Sequence, residues 1–517
     1  MKNIINILIL VTCITLISSC NKGFDKLNVN PNNPTSLDAA FLFTNAQFST
    51  HAATMETEPT VVQQFINPFT GITAAFNFNQ VNQTYTAQNW NAEYTGTNTG
   101  ATTSAGPVQL LVQILSQLKG NAARSNLYNE ARIWKAYQFM MLVDTYGDVP
   151  YTDAAQAYLN NVLTPKYDNQ ATIYTDLVNE VTAATAALDP SKDIVKADVF
   201  YAGNVAQWKK LGYSLLLRIG MRYSKIDPAK AQTIVKAAIA GGVMTSNADN
   251  CYLKYNATYV NPVSQNISTL ANTYYLAAPF VNQLKNTGDP RLKFIAGKYA
   301  SPAAAPTSVP DTISADQFGM PIGYSSATLS NAPGFRGSNG SGYNYSQINY
   351  TIFGNLTAPQ FFITYGQTQL LLAEAAFKGW ITGGSSPDVY YANGIRAAMD
   401  QWTTYNAAAI IPLSTENAFI NSPAIAYNAA NALNLINTQY WVASWGNGSE
   451  AWANFRRSGF PALSPNTISG QNITSGFVRR YVYPTLELSA NLTNYQAAVA
   501  DNGGPDDMDT RIFWDKQ

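Results

Sequence analysis

Apolar residues recurring at helical spacing, in segments that stop at Gly or Pro and turn back within a few residues, constrain this chain more than any other feature. Ile173, Leu177, Val181, Ala184 and Leu188 form one such stripe, ended by Asp189-Pro190. Another begins after Asn204, an N-cap with Gln207 at the capping-box position, and carries Trp208, Leu211, Leu215 and Ile219. Asp227-Pro228 opens the next helix, which closes at Gly241-Gly242, and the short turn between these last helices dictates an antiparallel hairpin. The pattern recurs upstream in Leu37 to Phe48, with Ser36 as N-cap, in Val108 to Leu118, and in Leu127 to Tyr146, where Trp134, Tyr137 and Met141 share a side. Downstream, Phe361 to Lys378 ends at Gly379, and Ser386-Pro387 starts a helix presenting Tyr391, Ile395, Met399 and Trp402. The expected fold is mainly α, with tetratricopeptide-like helix pairs as scaffold. The strand–helix alternation of a two-lobed α/β binding protein is missing.

Some stretches break the period. Gly71 to Gly106 strings Phe76, Phe78, Tyr85, Trp90 and Tyr94 among Asn, Gln and Thr, with hardly a charge, and reads as a long functional loop. The irregular segment 256–360 is studded with Pro302, Pro306, Pro310 and Pro321 and with the Gly-rich run Gly334 to Gly342. So long a stretch without periodicity inside a compact protein marks function or inserted decoration. Its rings, among them Tyr324, Phe335, Tyr343, Tyr345 and Tyr350, either pin the loops to the helical body or meet a ligand. The helical units therefore run over about 36–255 and 361–405, the loop-rich segment lies between them, and a C-terminal segment covers 406–517.

The N-terminus says where the chain works. Lys2 precedes an apolar run, Ile4 to Ile17, broken only by Asn6, Thr12, Cys13 and Thr15 and too short for a stable membrane span. It reads as a secretory signal over residues 1–19. Ile17-Ser18-Ser19-Cys20 resembles the bacterial lipoprotein box, in which the cysteine is lipidated and becomes the mature N-terminus. Several acyl chains on Cys20 make a stable anchor, and residues 20–35, rich in Asn and Pro, form a tether.

Composition excludes several function classes. Lys+Arg 31 balance Asp+Glu 31, so no basic field exists to attract nucleic acid. Charged residues are only 12%, while 31 Tyr, 23 Phe and 9 Trp accompany abundant amides and hydroxyls. Such a surface suits neutral, hydrogen-bonding ligands. Sugar rings fit it, because their C–H faces stack on aromatics while their hydroxyls need fixed polar partners. Cys13 leaves with the signal and Cys20 carries lipid, which leaves Cys251 as a buried structural thiol with no disulfide partner. With His51 as the single histidine, zinc sites and His-based triads are excluded.

The charged residues invite specific readings. Arg456 and Arg457, beside Glu450 and Trp452, fit a structural ion pair with cation–π contacts better than a clamp for an anionic ligand. Arg218 and Arg222 share a helical face and read as salt-bridge residues. Asp506, Asp507 and Asp509 lack the glycine-turn spacing of an EF-hand, and neither a metal nor a cofactor is expected. A secreted glycoside hydrolase would need facing carboxylates, for which Asp144 with Asp148 or Glu374 with Glu450 can be nominated.

Ordered segments spread over nearly the whole chain carry a resemblance. They are Leu27 to Thr35, Tyr146-Gly147-Asp148-Val149-Pro150-Tyr151, Leu217-Arg218-Ile219-Gly220-Met221-Arg222, Leu372-Ala373-Glu374-Ala375-Ala376, Trp441 to Trp445, Ser449-Glu450-Ala451-Trp452, Phe455 to Pro461, Arg479 to Pro484 and Trp514-Asp515. Set behind a lipobox, they make the chain resemble the SusD/RagB family of outer-membrane nutrient-binding lipoproteins. The resemblance implies tetratricopeptide-like units as a scaffold on one side and loop-rich structure with the ligand site on the other. It further implies a non-catalytic lid on a SusC-like, TonB-dependent β-barrel transporter in a two-plus-two assembly, in the outer membrane of Bacteroidetes-type bacteria. Lys22 and Asp25 partly resemble the surface-export segment, implying an outward-facing anchor. Such a lid binds oligosaccharide or, in RagB-like branches, peptide, which composition does not distinguish. Because family sites draw partly on the equivalent early loop, Trp90 and Tyr94, with Asn89 and Asn91 as polar partners, are the first candidate ligand contacts. Tyr343 and Tyr345, with Tyr324, are the second.

Overall fold

The computed structural model describes residues 37–50, 57–69, 72–98, 101–102 and 105–516. The signal, Cys20, the tether and His51 lie outside them. Helix α1 (Ala39–Phe48) is capped by Asp38, whose carboxylate accepts from the Ala40 amide at 2.7 Å. The cap is thus Asp38 rather than Ser36: its charge favours the helix N-terminus, and Arg124 fixes it at 3.1 Å.

The early aromatic stretch is not the long loop its pattern predicts. It contains a 3₁₀ turn (Ile72–Phe78) and helix α2 (Gln88–Thr95). Gln88, Asn89, Trp90, Ala92 and Glu93 are all buried, so α2 is covered on several sides and shows no amphipathic stripe to read.

The scaffold then runs through α3 (Pro107–Leu118), α4 (Ser125–Tyr146), α5 (Gln170–Ala187), α6 (Val205–Arg222) and α7 (Pro228–Gly241), each packed on the next. Asn204 caps α6 by accepting from the Ala206 and Gln207 amides. Within the segment read as irregular lies α8 (Ala278–Asn286), which buries Phe280, Val281 and Leu284; a helix this short presents too few turns for its period to stand out. A second pair, α9 (Tyr365–Phe377) and α10 (Pro387–Asp400), approaches closely, since a Cβ on Gly394 would lie 2.6 Å from Leu370 Cγ. Helices α11 (Ala432–Ala443), α12 (Gly448–Ser458) and α13 (Leu492–Asp501) complete the chain. Among the described residues no helix is long and apolar enough to cross a membrane.

Short strands fasten the loops to this body. Strand β1 (Phe65–Ile66), β2 (Cys251–Leu253), β3 (Tyr275–Leu276), β4 (Ala296–Gly297), β5 (Gln347–Ile348) and β6 (Gln360–Ile363) pair antiparallel as β1 with β3, β2 with β6 and β4 with β5. Cys251 is buried and unbonded to another cysteine.

Where α4, α6, α9, α11 and α12 converge, the core is ionic. Arg222 lies 2.7 Å from Glu450 and 3.1 Å from Asp144, and Arg218 lies 3.4 Å from Glu450. Arg457 pairs with Glu374 at 2.7 Å rather than with Glu450, which sits two turns, about 10 Å, away along α12 and faces α6. Arg456 stacks on Trp452 at 3.6 Å and faces Trp514 at 5.0 Å. The side chains are fully desolvated, so each charge is held only by its partners.

Candidate functional site

A cleft of about 690 Å³ opens where α8, the segment 321–333, α11 and the segment 461–464 meet. Its floor is apolar, with Trp441, Tyr391 and Ile425, all buried. Its walls carry polar side chains: Asn282 and Gln283 from α8, Asn431 at the N-cap of α11, and Asn434 and Thr438 along that helix. The last set recurs at i, i+3 and i+7, one helical face, and Gln439 beside it accepts from Arg291 at 2.7 Å. Apolar floor with convergent amides is what a neutral polyhydroxy ligand requires.

One rim of the cleft, Pro321, Ile322 and Pro333, belongs to a loop platform built on a separate apolar cluster. Ile66, Tyr275, Met320, Leu329 and Tyr345 form that cluster, and Ile322 and Tyr324 pack against it. Tyr345 is buried, meets Tyr275 edge-on at 6.4 Å, and accepts the Arg336 amide on its hydroxyl at 3.1 Å. Tyr324 is half-buried, its carbonyl accepting from Asn77 at 3.2 Å. Tyr343 is different: 51% exposed, it occupies the left-handed region at φ 58°, held by its amide bond to the Tyr299 carbonyl at 2.9 Å. Its ring is turned outward.

The early candidates lie in another neighbourhood. Trp90 is 5% exposed and enclosed by Tyr94, Tyr146, Tyr167 and Tyr483 at 4.9 to 5.7 Å. The Tyr94 hydroxyl donates to the Pro150 carbonyl at 2.6 Å, and Asn89, fully buried, donates to Glu58 at 2.6 Å. Asn91 is half-buried on the same helix. A ring clasped on several sides offers no free face to a sugar, so the structure places Trp90 and Asn89 in the scaffold and does not join α2 to the loop tyrosines through any ring contact.

The nominated carboxylate pairs do not face one another across a cleft. Asp144, Asp148, Glu374 and Glu450 are all buried. Burial pushes Asp144 up against the pull of Arg222; at Glu450 burial is outweighed by Arg218 and Arg222, and at Glu374 by Arg457, so both stay below the ordinary carboxylate range. The acidic C-terminal cluster is occupied as well. Asp506 accepts from Arg480 and Tyr495, Asp507 from the Thr510 amide at 2.8 Å, and Asp509 from the Thr474 and Ser475 amides at 2.7 and 2.8 Å. Among the described residues no group of His, Cys, Asp or Glu is placed to hold a metal ion.

A helical scaffold presenting a loop-borne, amide-lined cleft defines a ligand-binding protein of mainly α architecture. The family of starch-binding proteins associating with the outer membrane, SusD-like, matches residues 31–484, and the chain belongs to it. Solved structures agree. A chitin-binding protein is 29% identical with a TM-score of 0.76, over 92% of this chain and 99% of that one. A Bacteroidetes SusD-like protein is 24% identical with a TM-score of 0.78, over 93% and 100%. A chitin-binding SusD homologue from Flavobacterium johnsoniae is 24% identical with a TM-score of 0.71, over 92% and 98%. At 24% identity the last two show the fold alone. No curated protein matches the chain.

Proposed function

We propose that this protein is a lipoprotein, anchored through Cys20 to the outer membrane and facing outward, that binds oligosaccharide on its loop face and delivers it to a SusC-like, TonB-dependent transporter without catalysing any reaction. The observation that carries the reading is the cleft, an apolar floor walled by Asn282, Asn431, Asn434 and Thr438; the exposed Tyr343 stands on the loop platform that supplies one of its rims. Membership of a starch-binding family and the likeness to a chitin-binding protein at 29% identity support a glycan over a peptide. Tyr324 and Tyr345 shape the platform on which Tyr343 stands, and the α2 set of Asn89, Trp90, Asn91 and Tyr94 acts by supporting the scaffold.

Calorimetry of the full chain against starch, chitin and other oligosaccharides, with peptides alongside, tests this. Tyr343→Ala and Asn434→Ala are each expected to weaken glycan binding about tenfold, the loss of roughly 1.4 kcal/mol of stacking or hydrogen bonding. Trp90→Ala should lower stability instead. Affinity indifferent to Tyr343 and Asn434, or binding of peptides alone, contradicts the proposal. Extraction of the lipidated protein in mild detergent should bring a large β-barrel transporter with it; its absence removes the delivery step.

A further inference from the structure

The chain's charges balance overall but not locally. Phe318 is surrounded by cations: the Arg336 guanidinium carbon lies 3.4 Å, Lys285 Nζ 3.9 Å and Lys298 Nζ 5.7 Å from its ring centroid. A ring quadrupole holds cations but does not neutralise them. Lys285 donates to the Ala315 and Gln317 carbonyls at 2.7 and 3.0 Å, and Lys298 stands 3.9 Å from Asp311. Asp316 is the carboxylate that acts on Lys285. Arg336 is exposed and, among the described residues, has no carboxylate within ion-pair distance, whereas Arg124, Arg132, Arg396 and Arg511 at the surface are all paired. Burial and then the cations of Arg336 and Lys298 push the Lys285 ammonium down, the sign of like charges held together.

This excess positive charge is continuous with the aromatic face. Lys298 Nζ is 5.8 Å from the Tyr343 ring centroid, and Phe335, next to Arg336, is 41% exposed. A planar guanidinium fork stacked on Phe318 is preorganised for bidentate contact with a carboxylate or sulfate. We propose that the platform takes a saccharide bearing a carboxylate or sulfate, its anionic group seated on Arg336 and its sugar ring against Tyr343. The inference rests on the glycan-binding reading above and narrows its ligand class.

The test uses the full chain on an array of neutral xylo- and chitooligosaccharides, uronate-bearing oligosaccharides and sulfated oligosaccharides, with calorimetry on the hits. Acidic members should bind about tenfold or more tighter than neutral ones of equal length, with affinity falling as salt rises. Arg336→Gln should abolish that preference at an unchanged melting temperature, and Arg336→Lys should retain part of it. Equal or preferential binding of neutral glycans overturns the inference and leaves the glycan reading standing. An acidic preference that survives Arg336→Gln overturns the assigned site. A drop in melting temperature with selectivity intact assigns Arg336 to pinning its loop and likewise overturns it. Absence of any glycan binding overturns the underlying reading and the inference with it.

Discussion

Arg222, fully buried, sits between Asp144 and Glu450. Removing one partner leaves an uncompensated charge in the core, so Glu450→Gln should cost about 3–5 kcal/mol, read as a lower urea midpoint; a loss below about 1 kcal/mol contradicts the assignment. Asp148 sets a pH dependence. Burial, then the hydrogen-bonded carboxyl of Asp501, push it up to about 8. The folded protein keeps a proton there that the unfolded chain releases near pH 4. Its contribution is full below about pH 4, shrinks as pH rises, and is lost above about 8. Asp148→Asn, neutral throughout, should therefore lose stability less steeply between about pH 5 and 8, and unfolding curves with the same slope in both proteins contradict the shift. The residues that carry the recognisable text, Arg218, Arg222, Glu374, Glu450 and Arg457, all belong to this ionic core. Ion pairing was legible for Arg218, Arg222, Glu450 and Arg457, but not for Glu374, and the partners were not legible, since Arg457 and Glu374 lie far apart in sequence and meet only through the packing of α9 on α11 and of α11 on α12.

At the scale of elements, helices with one wet face were readable and helices covered on several sides were not. The stripe on α5 stands out because its opposite face is solvated, whereas α2 buries Asn89, Trp90 and Glu93 alike and so shows no period. Close helix approach is set by small residues. Gly394 on α10 faces Leu370 and the Gly366 carbonyl of α9. Gly394→Ala gains helix propensity of up to about 1 kcal/mol, but its methyl would stand 2.6 Å from Leu370 Cγ. Such overpacking costs about 1–3 kcal/mol. A net lower melting temperature is expected, and a rise contradicts the packing described.

For the whole molecule, the ordered family segments disclosed the scaffold, and the site stayed largely hidden. The cleft is assembled from Gln63, Tyr391 and the segments 278–287, 321–333, 424–441 and 461–464, which no local pattern connects. One signal was present: Asn431 at the N-cap of α11 and Asn434 and Thr438 within it share one face, a polar stripe beside the buried Ile436 and Tyr440. The cations around Phe318 were equally scattered, from Lys285 to Arg336, and masked by a net charge of zero. Of the loop tyrosines Tyr324, Tyr343 and Tyr345, Tyr343 alone is largely exposed. The most direct test is a crystal structure of the protein with an oligosaccharide that binds it in solution. Sugar rings are expected on the loop face, stacked on Tyr343 and hydrogen-bonded to Asn434 and Thr438; a saccharide seated instead against α2 or between α4 and α5, with that face empty, contradicts the proposed site.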